Sequence, residues 1–313
     1  MIVGNLPSYP LPECDSRGSL KNSREISFFA TDSHEQLAKT WSESLTCISE
    51  ETPEKGFDLY RRLPTPFDEE CSSFYTLLRF LCECKIRASE TLVVIGGIWR
   101  SAQFALIEEL FPDIEINLWL VRIDDVSKLP NKVKKRTGFP TKTTYPSFMS
   151  IVLFSDFRSI QFSNIVYDVE FQQKIVDTCV PRVASVRLRP PLRRNSSSDY
   201  ITFLKGRITT TCCSSSTDIA TRVYVTREEN YIEGKGFERE NYSLCKYEEK
   251  MNHYNTEVRS CYQYDIKCVR KSFDAAYQDF ICYLYLGKSA HPNEVGLLRE
   301  RIRFVSIDLS PKL

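Results

Sequence analysis

The chain has 313 residues, of which 42% are hydrophobic and 27% are charged. This composition excludes an intrinsically disordered protein, because such chains lack the apolar surface that offsets chain entropy. Forty-two basic residues against forty-one acidic ones give a net charge of +1, which excludes a strong overall field for nucleic acid, so a polyanion site has to be a local cluster. The sequence shows neither an apolar run of membrane-spanning length nor a secretory signal pattern, and we expect a cytosolic protein.

The first 55 residues combine Pro, Ser, Glu and Asp with little periodicity. We predict an irregular N-terminal arm over 1–55, followed by a single domain over 56–313. Apolar residues from 74 to 86 recur with helical spacing and predict a helix. Residues 91–97 form a short β-branched run that ends in two glycines, which is typical of a buried parallel strand.

The elements that follow alternate helix and strand. Helices are predicted over 101–111 and 169–180, and strands over 116–121, 149–156 and 184–189. Such alternation predicts an α/β fold with a doubly wound, mostly parallel central sheet and flanking helices. Further strands are expected at 200–204 and 220–226 as antiparallel additions at a sheet edge, and C-terminal helices at 241–259, 273–286 and 293–304.

Twelve cysteines are present, but no two have C-x-x-C spacing and only three histidines accompany them. Zinc sites use other spacings and ligand sets, so no metal is expected. Several cysteines, such as Cys82, Cys179 and Cys282, lie inside apolar runs. We expect reduced, buried thiols that pack as small hydrophobic side chains.

Ligands of an open parallel sheet bind beyond the carboxyl ends of its strands, which directs attention to the turns after residues 95, 121, 155 and 189. The segments there resemble the poxvirus cap 2′-O-methyltransferase, which is also the small, regulatory subunit of that virus family's poly(A) polymerase. The similarity is collinear over about residues 57–307. The segments that carry it are 61–64 (RRLP), 151–159 (IVLFSDFRS), 186–190 (VRLRP), 247–251 (YEEKM) and 277–284 (YQDFICYL).

This resemblance implies a Rossmann-like, S-adenosylmethionine-dependent methyltransferase domain that methylates the 2′-hydroxyl of the first cap nucleotide. It also implies a heterodimer with the catalytic subunit of a viral poly(A) polymerase, which the family protein makes processive on mRNA. The expected location is the viral factory in the host cytoplasm, and the virion.

The family's methyl-transfer site uses a lysine, an aspartate, a second lysine and a glutamate. The aspartate matches Asp156, but Arg187 stands where the second lysine would be, and a guanidinium keeps its proton at physiological pH. The first lysine falls in the acidic stretch 68–70, and the glutamate falls near Ala220, with Asp218 as the nearest substitute. We predict that methyl transfer is lost. Asp156 alone also fits a structural carboxylate that caps a helix or binds a turn amide.

The cofactor turn after the first strand contains Gly96 and Gly97, which allow close backbone approach. The isoleucine and tryptophan that follow would crowd the methionine end of S-adenosylmethionine. The acid expected to bind the cofactor's ribose has only Asp124 or Asp125 to match it. By resemblance the cofactor is S-adenosylmethionine, and we predict that this chain does not bind it.

Two basic clusters suggest RNA contacts. The first, residues 128–136, is predicted to be a loop, either a solvated charged surface or a phosphate-binding one. The second surrounds the predicted strand at 184–189. In the family a methylated guanine stacks between aromatic rings and bonds to acids; here Leu192 replaces one ring and Arg194 one acid, while Glu248 matches the other acid. The predicted RNA-binding residues are Arg158, Arg187, Arg189, Arg193, Arg194 and Glu248.

Three hypotheses follow. The chain is a subunit that binds RNA beside a poly(A) polymerase with a degenerate methyltransferase site, or an active cap 2′-O-methyltransferase, or a structural viral protein that has kept only the fold.

Overall fold

The computed structural model describes residues 69–145, 149–157, 165–190, 196–210, 221–247, 281–282, 284–287 and 290–306. Through the first half these form helix α1 (Glu69–Glu83), β1 (Thr91–Gly96), β2 (Ile98–Trp99), α2 (Ser101–Leu110), β3 (Glu115–Trp119), β4 (Arg122–Ile123), a 3₁₀ turn (Val126–Lys128), β5 (Val133–Arg136) and β6 (Ile151–Asp156). The later elements are α3 (Ile165–Cys179), β7 (Val183–Leu188), β8 (Tyr200–Leu204), β9 (Arg207–Thr210), β10 (Thr221–Thr226), α4 (Arg227–Asn230), β11 (Tyr231–Ile232), β12 (Gly236–Phe237), β13 (Arg239–Ser243) and α5 (Pro292–Ser306).

A seven-stranded sheet carries the fold, in the order β5-β3-β1-β6-β7-β10-β9. The first five strands are parallel, whereas β10 runs antiparallel to both of its neighbours. Strand β1 lies between β3 and β6, so the chain reverses its direction of winding there. This is the order of Rossmann-like sheets, and it places a ligand crevice at the carboxyl ends of β1 and β6. The predicted α/β class is confirmed.

Helices cover both faces of the sheet, which explains why its central strands are continuously apolar. Alternate residues of β1 divide between the two layers: Leu92 and Val94 face α1, α2 and α5, whereas Val93 and Ile95 face α3. All four are at most 1% exposed. Because both faces are buried, the register of the strands is fixed by packing on either side.

Three predicted elements differ from the structure. Residues 133–136 form edge strand β5 rather than a loop, because Val133 is buried and pairs with β3. Strand β8 pairs with β13 in a separate two-stranded ladder and not at the edge of the main sheet. The helix predicted from residue 241 begins later, because Tyr242 is buried in β13 and its hydroxyl donates to the carbonyl of Leu204 at 2.9 Å.

The other predicted elements lie within a few residues of their expected bounds where the structure describes them. Residues 248–280 and the whole N-terminal arm, 1–55, lie outside the described residues. Within the described ranges no helix combines the length and apolarity needed to cross a bilayer. Cys179 and Cys282 are buried and form no disulfide, as predicted, whereas Cys82 is only partly buried. Burial raises the pKa of Cys179 to about 12.

Candidate functional site

The crevice that the topology creates lies where β1 and β6 end side by side. Gly96 is the register partner of Asp156. The predicted catalytic aspartate and the predicted cofactor glycines therefore do meet at one point of the sheet. The side chains around Asp156 and the two glycines determine which chemistry the crevice supports.

The carboxylate of Asp156 is enclosed by two guanidinium groups. Its Oδ1 accepts hydrogen bonds from Nη1 of Arg187 at 3.2 Å and from Nη1 of Arg222 at 3.3 Å. Its Oδ2 accepts a hydrogen bond from the Ser73 hydroxyl, on helix α1, at 3.1 Å. Asp156 is 7% exposed, Arg187 4% and Arg222 3%. Among the described residues, these groups form a buried ion cluster of two cations and one anion, which we call the Asp156 cluster.

All three guanidinium nitrogens of Arg222 donate hydrogen bonds to neighbouring strands of the sheet. Its Nε donates to the Ser185 hydroxyl at 2.7 Å, and its Nη2 donates to the carbonyls of Ser185 and Ser155. The guanidinium carbon lies 3.9 Å from the centre of the Phe154 ring, in cation–π geometry. Burial lowers the pKa of Arg222 to about 10, against the opposing attraction of Asp156. The side chain is therefore still protonated at neutral pH.

Arg187 lies opposite Arg222 in the register of β7 and β10. Gln172, on α3, fixes its backbone: the amide of Gln172 donates to the Arg187 carbonyl at 2.9 Å and accepts from the Arg187 N–H at 3.1 Å. Arg187 was predicted to contact RNA phosphate. Its guanidinium is 4% exposed and donates to Asp156, and the RNA contact stays a prediction.

The resemblance implied a lysine, an aspartate, a second lysine and a glutamate around this point. The structure brings together Ser73, Asp156, Arg187 and Arg222 instead. Neither Ser73 nor Arg222 was singled out from the sequence, because the family's first lysine was aligned with 68–70 and its glutamate with residues near 220. A signal for Arg222 did exist, since it is a charged residue inside the buried strand β10.

The two glycines after β1 accommodate the protein's own atoms. Both have positive φ, 73° for Gly96 and 85° for Gly97. A Cβ at Gly96 would lie 2.6 Å from the Cα of Phe157, and a Cβ at Gly97 would lie 2.6 Å from Nε1 of Trp99. Trp99 is 1% exposed, and its indole donates to the Gly96 carbonyl at 2.8 Å. The close approach that glycine permits is thus used for an indole and a neighbouring backbone.

The backbone and the acid beyond this turn are also engaged. The carbonyls of Gly97 and Trp99 accept hydrogen bonds from the N–H groups of Arg122 and Asp124, at 3.0 and 3.3 Å. The carboxylate of Asp124 accepts from the N–H of Ser101, at the start of α2, at 2.8 Å. Asp124 therefore caps a helix where a ribose-binding acid was expected. Asp124 and the buried Trp99 thus lie where the resemblance places contacts to S-adenosylmethionine, and both are already bonded within the protein.

Of the remaining predicted site residues, the structure describes Arg189 and Asp125. Arg189 is partly buried just after β7. Asp125 accepts from the N–H of Ser127 at 3.0 Å and belongs to the 3₁₀ turn. Arg158, Arg193, Arg194, Glu248 and the alignment positions Asp218 and Ala220 lie outside the described residues. Within the described ranges, no three His, Cys, Asp or Glu residues gather in a way that would hold a metal ion.

Comparison with known families gives one match. The model of the family described as poly A polymerase regulatory subunit matches residues 78–306. A comparison with curated proteins found no match. The matched span begins inside α1 and ends with α5, so it contains the whole seven-stranded sheet and, except for Ser73, the Asp156 cluster. Because the match covers well over half of the sequence, the chain belongs to the poly(A) polymerase regulatory subunit family.

Proposed function

We propose that this protein is an RNA-binding subunit that stimulates processive polyadenylation by a catalytic poly(A) polymerase subunit, and that its methyl-transfer site has become a structural ion cluster. The observation that carries the second half is the double contact of Asp156 with Arg187 and Arg222. Membership in the regulatory subunit family supports the first half.

Methyl transfer to a ribose hydroxyl needs a base that removes the hydroxyl proton, and a lysine can be tuned for this because burial and neighbours lower its pKa. Arginine cannot take this role, since it keeps its proton even where burial lowers its pKa, as at Arg222. Asp156 does not replace the lysine, because its carboxylate is already bonded by two guanidinium groups and the Ser73 hydroxyl. The described side chains of the site can therefore form a stable ion cluster, but none of them is suited to remove a proton from a ribose hydroxyl.

RNA binding is proposed to use the arginines that follow β7. Arg189, Arg193 and Arg194 lie within six residues of one another, with Arg158 as a further candidate, and clustered cations neutralise phosphates independently of base sequence. Glu248 is the acid that matches the family's cap site. Such binding suits a subunit that keeps mRNA beside the polymerase while the tail grows. The proposed complex is a heterodimer with the catalytic subunit.

Tail length tests the proposal. The catalytic subunit would be mixed with an RNA primer, with and without this chain, and then challenged with excess unlabelled RNA so that only processive events are scored. We expect longer tails with the wild type and shorter ones with Arg189→Ala, Arg193→Ala and Arg194→Ala combined. The matched control removes three exposed cations elsewhere, Lys205, Arg301 and Arg303.

Unchanged tail length with the wild-type chain would overturn the proposed stimulation, and equal loss in the two triple variants would overturn the proposed RNA surface. Calorimetry with S-adenosylmethionine addresses the other half. Tight binding would favour the alternative, an active cap 2′-O-methyltransferase, because it would show that the Trp99 indole can leave the cofactor turn and make room for the cofactor.

A further inference from the structure

Four aromatic rings cluster beyond the carboxyl ends of β5 and β6. Phe139 follows β5, Phe157 is the residue after β6, and Tyr167 and Phe171 lie on α3. Phe171 is the centre of the group: its ring centroid lies 4.1 Å from that of Phe157, 5.6 Å from that of Phe139 and 6.0 Å from that of Tyr167. The rings of Tyr167 and Phe171 are stacked, with 23° between their planes.

Two of these rings face solvent to an extent that core packing does not explain. Phe139 is 54% exposed and Tyr167 is 44% exposed, whereas Phe171 between them is 9% exposed. The buried ring of Phe171 holds the rings of Phe139 and Tyr167 in place while their outer faces stay in contact with water. We call this surface the aromatic platform. Rings presented in this way favour a ligand with flat, polarisable faces.

Positive charge lies directly beside the platform. Residues 128–142 contain six Lys and Arg and no Asp or Glu, and the strand within them, β5, is the edge of the sheet. Arg136 is the register partner of Trp119, which packs in the layer on the α3 side, and its Nε donates to Asn117 at 2.9 Å. Lys134 alternates with Lys135 along the strand and therefore shares the face of Arg136. Charge and rings thus occupy the same edge and face of the sheet.

We propose that the aromatic platform binds unpaired bases of single-stranded RNA, by stacking on Phe139 and Tyr167, while Lys134, Arg136 and Lys142 neutralise the adjacent phosphates. Stacking on exposed aromatic rings combined with a basic track is how proteins hold single strands without reading sequence. Residues 128–142 themselves contain no acid, and Glu115 on the neighbouring strand, 3.7 Å from Lys134, offsets one of their six cations. The remaining excess of positive charge favours a polyanion over a protein partner. A duplex does not fit, because its base faces are already covered. The inference rests on the proposed RNA-binding function and adds a contact area separate from the arginines after β7.

Fluorescence anisotropy with a labelled, unstructured oligonucleotide tests it. Phe139→Ala with Tyr167→Ala is expected to weaken binding about tenfold or more, since one base–aromatic stack is worth about fivefold to a hundredfold. The dependence of affinity on salt should keep its slope, because no phosphate contact has been removed. Lys134→Ala with Lys142→Ala should instead lower that slope by up to about 1.4. Blunt-ended duplex RNA, which has no unpaired bases, should show little difference between the wild type and the ring variant.

Phe304→Ala is the matched control, because Phe304 is a ring of similar exposure, 65%, on α5, which packs on the opposite layer. Phe139→Tyr with Tyr167→Phe keeps both rings and should restore affinity. If the wild type binds RNA but the double alanine variant binds it equally well while melting normally, the platform is not an RNA site and the inference fails alone. If the wild type shows no RNA binding, the proposed function fails first.

Discussion

Replacing Asp156 with asparagine removes the charge that lies between two buried guanidinium groups. Arg187 and Arg222 are 4% and 3% exposed and bond to the same carboxylate oxygen, Oδ1. Without the negative charge, two cations face each other in a medium that screens them poorly. Breaking a buried ion pair by removing one partner typically costs about 3–5 kcal/mol. For a domain of this size that corresponds to a fall in melting temperature of roughly 10 °C.

The assay is thermal or urea unfolding followed by circular dichroism. Asp156→Asn should unfold well below the wild type, and Asp156→Asn with Arg222→Met should recover part of the loss, because replacing buried charges by an apolar side chain is often close to neutral. Residues kept for catalysis behave differently, since removing them commonly leaves stability unchanged or raises it. An Asp156→Asn protein as stable as the wild type, or more stable, would refute a structural role for the cluster.

Two further predictions concern the residues on either side of the central strand β1. Burial alone would raise the pKa of Glu90, but hydrogen bonds from Arg182, Ser150 and a backbone N–H hold it below its ordinary value. Glu90→Gln should therefore lower the free energy of unfolding by about 2 kcal/mol at neutral pH. The difference between wild type and variant should shrink as the pH falls below about 4.3, the ordinary pKa of glutamate, and through the lower pKa that Glu90 has in the folded state. A difference that stays constant down to pH 2 would contradict this. Gly97→Ala should lower the free energy of unfolding by about 3 kcal/mol, because residue 97 has a positive φ and the new Cβ would clash with Trp99. Gly138→Ala should lower it by about 1 kcal/mol, because Gly138 also has a positive φ, 80°, but open space around it. Equal urea midpoints for the two alanine variants would show that the Trp99 indole moves freely.

The sheet was predictable because its strands are short, β-branched and continuously apolar, and because helical spacing separates them. Strand β5 escaped prediction since three of its four residues are basic, and only Val133 carries the apolar signal. Strand β13 has the same property: Tyr242 is its one buried residue. In both cases tertiary pairing, and not local propensity, decides the structure.

The site was predictable in part. Asp156 and Arg187 were expected together because both match methyl-transfer positions of the family that the chain resembles, and the crowding by Trp99 followed from its size beside the glycines. Ser73 and Arg222 were missed because their place depends on how α1 and the antiparallel strand β10 pack, which spacing along the chain does not reveal. The depth of Arg187 was missed for the same reason: Gln172 and Arg222 cover it from elements distant in sequence.

The most direct test of the account is the state of the first transcribed nucleotide. Capped RNA would be incubated with the purified chain and S-adenosylmethionine, digested, and examined by mass spectrometry beside an active cap 2′-O-methyltransferase as positive control. A buried arginine pair around Asp156 predicts an unmethylated ribose in the sample and a methylated one in the control. A 2′-O-methylated first nucleotide produced by the chain itself would contradict the claim that this site stabilises the fold and no longer catalyses methyl transfer.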